Sequence, residues 1–296
     1  MKKIVVDVEK DLGFEETYDK WNGKFLDETS YDRLVKVTDE DVGVIKPINT
    51  LDGSDVPLAY VITNVYHDNN VIRNTLMSIE DVTVMRANCS GPILEEDMLK
   101  KGLKLNVDYR LRTPNSYQLK TKSGKWGMIG YSNEIHSVMI GYKRGRFTGG
   151  IDSSGWVKEN PEKWKTLQDI SIWNERAFKK ANMAIYNRQK AFCDNHIEPA
   201  YRVGGGIFTT LSANRYHIGQ SSKMGAHVDS GDLNAGMTTM SCFREGEYDG
   251  AYLVFPRYGI AIDAPDNSVI IADSNQLHGV TPVSYTHLTL PTNREV

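Results

Sequence analysis

Downstream of Gly204-Gly205-Gly206 the spacing of apolar positions changes. They stop recurring at helical intervals and gather into short runs at 207–217, 237–243, 251–263 and 268–273, broken by Gly, Asp and Asn. Runs of this length, rich in β-branched and aromatic residues and bounded by turn formers, predict strands. Upstream, Asn160-Pro161-Glu162-Lys163 opens a helix with proline near its first position, where a backbone N–H has no helical partner to lose. Trp164, Leu167, Ile170 and Trp173 follow at helical spacing, and a second helical stretch runs to about His196. That stripe predicts a core face rather than a cofactor site.

Earlier in the chain the pattern is weaker. Residues 82–88 predict a strand ending before the Gly91-Pro92 break, and 105–155 predict loops or edge strands. Residues 1–80 mix charged stretches with short apolar pieces such as 58–63, and predict an extension packed on the core. No repeat or low-complexity segment interrupts the chain. Helices followed by a run of short strands predict an α+β fold: a double-stranded β-helix (jelly roll) core with buttressing helices on one face.

Within this framework, Ala226-His227-Val228-Asp229-Ser230 carries the chemistry. Strand residues i and i+2 point to one side, so His227 and Asp229 can share an ion while Val228 packs away. His278 follows the apolar 268–272 run and is expected on a neighbouring strand. Two imidazoles and a carboxylate on one side of an ion leave three coordination positions open, the arrangement of non-haem Fe(II) oxygenases. The plainer alternative is a surface turn with a hydrogen-bonded histidine, and the strand pattern around all three residues disfavours it. His196-Ile197-Glu198 has the same His-x-acid form. It stands at the end of a helical pattern before Pro199 and predicts a solvated helix terminus. No helix follows the triple glycine, so it is no phosphate cradle.

A length of 296 residues is ample for a sizeable core, as one large domain or two small ones. No apolar run approaches the ~18 residues of a membrane helix. Met1-Lys2-Lys3-Ile4-Val5-Val6 resembles the start of a signal peptide, but Asp7 and Glu9 end the apolar run too early. Cys89, Cys193 and Cys242 show no paired spacing, which points to a reducing, cytoplasmic setting.

The net charge of −3 conceals an asymmetry. Residues 1–81 carry 17 acids against 9 Lys/Arg, a balance of −8, whereas 100–146 carry 11 Lys/Arg against Asp108 and Glu134, a balance of +9. Tyr117, Trp126, Tyr131 and Tyr142 interleave with the basic residues. Such a patch can track a phosphate backbone; alternatively it is a solvated face that pairs with the acidic N-terminal segment.

The last residues, 283–296, look like a translated transposase sequencing adapter and are set aside from fold reasoning. The natural chain is expected to continue differently after about Pro282, and His287 and Arg294 are not candidates for chemistry.

Taken together, several segments resemble the TET/JBP-like Fe(II)/2-oxoglutarate dioxygenases, best their phage and microbial members. They are Phe208-Thr209-Thr210 with Asn214, His227-Val228-Asp229 with Asp232, Gly250 through Pro256, Tyr258-Gly259, and His278-Gly279. Arg86-Ala87-Asn88 and Pro161-Glu162-Lys163-Trp164 add to the likeness, which covers about 81–282. The resemblance implies a dioxygenase domain over 81–282, between an acidic 1–80 extension of unassigned role and a non-native 283–296 tail. It implies Fe(II) held by His227, Asp229 and His278, with 2-oxoglutarate and O2 as co-substrates. In relatives an Arg one or two strands after the distal His grips the co-substrate carboxylate. That position falls in the foreign tail, leaving Arg86 and Arg146 as upstream cofactor-binding candidates.

Asn214 and Asp232 are candidates for the substrate side; a backbone-capping amide and a turn carboxylate are the alternatives for them. The activity implied is hydroxylation of a C–H bond, foremost the 5-methyl group of a pyrimidine base in DNA or other nucleic acid. A base inside a duplex would have to be flipped out. Two readings stay open beside it: a 2-oxoglutarate dioxygenase acting on a peptide side chain (prolyl-hydroxylase-like) or a small metabolite, and a non-catalytic jelly-roll binding module.

Overall fold

A computed structural model describes residues 4–38, 42–47, 56–80, 86–88, 93, 95–113, 116–131, 133–144, 149–216 and 224–284. The fold is mixed α+β, with several largely antiparallel sheets and a helical layer. The largest sheet has five strands in the order Ile4–Val8, Val42–Pro47, Ala59–Ile62, Ser268–Ala272 and Thr238–Cys242. A four-stranded sheet follows the order Gly279–Val280, Leu253–Phe255, Ile260–Asp263 and Arg33–Lys36.

The Ser268–Ala272 strand, flanked by a strand on either side, is buried along its whole length, which explains its apolar run. Its alternate side chains serve two cores. Val269 and Ile271, with Tyr60 and Ile62 of the neighbouring strand, meet Trp164, Leu167, Ile170 and Phe178 of the helices. Ile270 and Ala272, with Ala59 and Val61, face Leu253, Phe255, Ile260 and Ile262 of the four-stranded sheet. Helices therefore cover one face of the large sheet and a second sheet covers the other, as the period-2 pattern requires.

The helical layer runs through Gly155–Glu159, Pro161–Leu167, Asp169–Ala181 and Met183–His196. Pro161 stands at the first turn of its helix, and Asn182 caps the last, accepting a hydrogen bond from the Ile185 N–H at 3.0 Å. The expected stripe packs inward at Trp164, Leu167 and Ile170, with Trp173 partly buried beside it. His196 is the last residue of its helix, exposed and with its ring tilted against Phe192, as expected for a solvated terminus.

The N-terminal region is more deeply involved than a packed extension. Val6 and Val8 are buried, Ala59–Ile62 pairs with Ser268–Ala272, and Arg33–Lys36 pairs in parallel with Ile260–Asp263. Residues 105–155 form more regular structure than expected. Tyr109–Thr113, Ser116–Lys120 and Trp126–Tyr131 make a separate three-stranded sheet. The long Asn133–Arg144 strand pairs with Thr210–Arg215, Ile151–Ser153 and Arg86–Asn88. Of the expected 82–88 strand, residues 82–85 lie outside the described residues, as do Cys89 and 285–296. Val283–Ser284 pairs with Asp249–Gly250. No described helix is long and apolar enough to cross a membrane.

Candidate metal centre

After Ala272 the chain leaves the large sheet and turns through Asp273–Leu277 before Gly279–Val280 joins the smaller one. Asp273 shapes this turn: its carboxylate accepts from the Asn275 N–H at 3.0 Å and from the Gln276 amide at 3.2 Å. His278 emerges where the turn ends. It faces His227 in an isolated antiparallel bridge, each residue's N–H donating to the other's carbonyl at 2.9 and 3.0 Å. Neither histidine lies in a regular strand, contrary to the strand placement expected for His227, Asp229 and His278. The turn, rather than the Ser268–Ala272 strand itself, delivers His278.

The bridge alone does not aim the rings; backbone carbonyls do. His227 Nδ1 pairs with the Gly225 carbonyl and His278 Nδ1 with the Gln276 carbonyl, both at 2.9 Å. With Nδ1 as the N–H in each ring, Nε2 keeps its lone pair and both point toward Asp229. His227 Nε2 lies 3.6 Å from Asp229 Oδ1 and His278 Nε2 lies 3.7 Å from Oδ2. These separations exceed hydrogen-bond range. Three donor atoms, all within 4.8 Å of one another, converge without bonding among themselves. Two imidazole nitrogens and a carboxylate around one gap suit a divalent transition ion, so the donor set fits iron.

Burial is graded across the three. The side chains of His278, His227 and Asp229 are 9%, 25% and 43% exposed, so the site is closed behind His278 and open beside Asp229. Burial, then the neighbouring His227, holds the His278 imidazole below its ordinary pKa, favouring the neutral form that ligates metals. The Asp229 N–H donates to the Ser274 carbonyl at 3.1 Å, and the Ser274 hydroxyl donates to Asp232 Oδ2 at 2.6 Å. Asp232 is exposed as a residue, yet its carboxyl is partly withdrawn from water. That, with the Asp229 charge nearby, raises its pKa.

An N-terminal clasp passes directly under this site. The Gly23 N–H donates to the Ala226 carbonyl at 2.7 Å, and the Ala226 N–H donates to the Lys24 carbonyl at 2.8 Å. Leu26, Ala226, Val254, Ala261 and Leu277 form a small buried cluster. A Cβ at Gly225 would sit 2.6 Å from the Gly23 carbonyl oxygen, so only glycine permits this approach. The sequence reading missed the clasp: Gly23 and Leu26 have no motif, and their role exists only through contacts some 200 residues away along the chain.

Of the other predicted site residues, only Asn214 has a described side chain, and it is not gathered here. Asn214 is exposed on Thr210–Arg215, opposite Ser137, with no described hydrogen bond to the three donors. Arg86 lies in a strand paired with Ile135, and its side chain is outside the described residues, as is all of Arg146. Arg257, whose Nη1 lies 3.3 Å from the Gln276 amide oxygen, is held by Asp11 at 2.7 and 2.8 Å.

No family model matches the chain. Over 128 residues it is 22% identical to thymine dioxygenase JBP1 of Trypanosoma brucei brucei, an alignment covering 43% of this chain and 14% of that protein. Over 87 residues it is 31% identical to the bifunctional helicase and thymine dioxygenase JBP2 of Trypanosoma brucei brucei (strain 927/4 GUTat10.1), covering 29% of this chain and 8% of the relative. Over 82 residues it is 32% identical to thymine dioxygenase JBP1 of Leishmania tarentolae, covering 28% and 9%. This chain is therefore similar, over part of its length, to thymine dioxygenases of the JBP kind. The aligned part spans only a small fraction of these curated relatives, 14% of the first. A solved structure described as NgTET1 in complex with 5mC DNA aligns at 10% identity over 92% of this chain and 83% of its own, with a TM-score of 0.46.

Proposed function

We propose that this chain is an Fe(II)- and 2-oxoglutarate-dependent dioxygenase that hydroxylates the 5-methyl group of a pyrimidine base in nucleic acid. The observation that carries the reading is the convergence of His227 Nε2, His278 Nε2 and the Asp229 carboxylate on one gap. The likeness to thymine dioxygenases supports the substrate class. The two packed sheets with helices on one outer face support a double-stranded β-helix core. In this reading the catalytic unit is the 81–282 region completed by strands and the clasp of 1–80, and 283–296 contributes no chemistry.

Iron with 2-oxoglutarate and O2 would supply the oxidising chemistry, placing one oxygen atom in the substrate C–H bond and the other in succinate as CO2 is lost. The residues of the chain provide the rest. His227 and His278 each present a lone pair because a backbone carbonyl occupies the opposite nitrogen. Asp229 supplies charge, and its greater exposure marks the side from which substrate approaches. The buried wall behind His278, with the Phe255 ring centroid 6.1 Å from the imidazole, keeps water from the far side. Asp232 acts through Ser274, whose carbonyl holds the Asp229 backbone, and so serves as a positioning residue. The open sector must also accept the co-substrate carboxylate, with Arg86 and Arg146 as its candidate upstream partners.

The test is succinate release from 2-oxoglutarate with Fe(II), comparing 5-methylated DNA, thymine-containing DNA and DNA lacking 5-methyl pyrimidines. Stimulation by the methyl-bearing DNAs is expected. Turnover that ignores all three would remove the nucleobase assignment, and absence of iron-dependent turnover with any substrate would remove the oxygenase assignment.

A further inference from the structure

The three strands Tyr109–Thr113, Ser116–Lys120 and Trp126–Tyr131 hydrogen-bond to one another and, among the described residues, to no strand of another sheet. Registry places Arg110 opposite Gln118, Gln118 opposite Ile129, and Lys120 opposite Trp126, all on one face. The Arg110 guanidinium lies 4.8 Å from the Trp126 ring centre and Lys120 Nζ lies 5.8 Å from it. Gln118 fixes Arg110 through two hydrogen bonds from Nε and Nη2, at 3.1 and 2.9 Å. The other face is self-packed: Tyr117 meets Tyr109 edge-on at 6.0 Å and lies over Gly130, where a Cβ would come within 2.3 Å of its ring.

The hairpin joining the last two strands turns at Gly124 and carries Lys120, Lys122 and Lys125, all exposed. Arg110 and Arg112 are exposed beside them. Among the described residues, none of these five cations has a carboxylate within ion-pair distance. The described ion pairs therefore give no support to the alternative in which this face neutralises the acidic N-terminal segment. Cations without a carboxylate partner on one small sheet repel one another, and among the described groups the Trp126 ring and the Gln118 amide oxygen offset only part of that cost, at Arg110 and Lys120. A regular polyanion would offset it.

We infer that this three-stranded sheet is a nucleic-acid grip, Lys122 and Lys125 of its hairpin tip seated against backbone phosphates and its Arg110–Trp126–Lys120 stack facing the groove. A two-stranded β-ribbon fits the major groove of a duplex. Arg110, oriented by Gln118 through Nε and Nη2, keeps its Nη1/Nη2 end for a two-pronged contact with a phosphate or base edge. The inference rests on the nucleic-acid reading of the preceding subsection and specifies the surface that would hold the strand while the metal centre acts.

The exposed Met128 and Ile129, with Leu111 on the opposite face, define the competing outcome, an anionic lipid surface. The full chain, without added metal or co-substrate, is titrated against a fluorescent DNA duplex from 50 to 200 mM salt, and separately against vesicles containing anionic phospholipid. Two variants accompany it: Lys120→Gln/Lys122→Gln/Lys125→Gln and the charge-keeping Lys120→Arg/Lys122→Arg/Lys125→Arg. The Gln variant should bind duplex roughly 10- to 100-fold more weakly at low salt, with a slope of log K against log salt smaller by about 2 to 3, since each lysine lost removes close to one released counterion. The Arg variant should bind like the parent.

Equal DNA affinity and slope in parent and Gln variant would overturn the inference. So would an Arg variant as weak as the Gln variant, or charge-dependent capture by vesicles with DNA binding unaltered. Because no turnover is read, a null result here leaves the metal-centre assignment standing, and an inactive metal centre leaves the binding result standing.

Discussion

His227 and His278 are each aimed by one main-chain hydrogen bond at Nδ1, whereas Arg110, Lys120 and Trp126 arrange one another through side chains alone. The first region lies between two sheets and over a buried cluster; the second is an exposed sheet of three strands. Backbone bonding fixes donor positions within tenths of an ångström, which coordination demands. Phosphate tracking needs charge density more than position, and long flexible side chains supply it. The comparison implies that changes near the metal centre act through geometry and are abrupt, while changes on the basic sheet act through charge and are graded.

The sharpest way to break this contrast is at the ligands. His227→Ala, His278→Ala and Asp229→Ala should each abolish iron retention and turnover, measured as iron content after reconstitution and succinate release. Turnover retained by any of them would refute the ligand set. Next comes Leu26→Ala, which empties a fully buried site beneath Ala226 and Leu277. It should cost about 2–5 kcal/mol of stability and weaken iron binding, although Leu26 is no ligand. Unchanged iron affinity at normal occupancy of the fold would detach the clasp from the metal centre.

Gly225→Ala pushes a Cβ against the Gly23 backbone and should cost about 1–3 kcal/mol by overpacking, seen as a lower melting temperature and faster loss of bound iron. Ser274→Ala removes the hydroxyl that binds Asp232 and should cost about 0.5–1.5 kcal/mol. It should lower kcat more than it raises KM, since Asp229 shifts while substrate contacts remain. The smallest effect belongs to the basic sheet: Lys122→Gln should alter thermal stability by less than about 0.5 kcal/mol, in contrast to the 10- to 100-fold change expected in DNA affinity for the triple variant.

Much of the strand and helix pattern was legible because buried faces leave a period in the chain. The 268–272 run and the Trp164, Leu167, Ile170 stripe are the clearest examples, each apolar where two layers enclose it. The His-x-Asp spacing and the distant His also stood out, since few side chains offer such donors. Their local conformation did not follow: His227 and His278 form one isolated bridge at a turn, where alternation carries no information. The separate sheet of 109–131 is not legible as such in the sequence, because Gly127, Gly130 and exposed Met128 and Ile129 blur its alternation.

By itself, the order of residues determined which segments must be buried, the α+β character, the candidate donors and the uneven distribution of charge, all of which depend on side-chain chemistry and spacing. Only the tertiary structure decided that Gly23 and Leu26 underlie Ala226, that backbone carbonyls turn both imidazoles toward Asp229, and that the acidic N-terminal region supplies strands to both main sheets. Those relations join residues far apart along the chain. No local periodicity encodes them, because they arise only when the whole chain satisfies its packing and hydrogen bonds together.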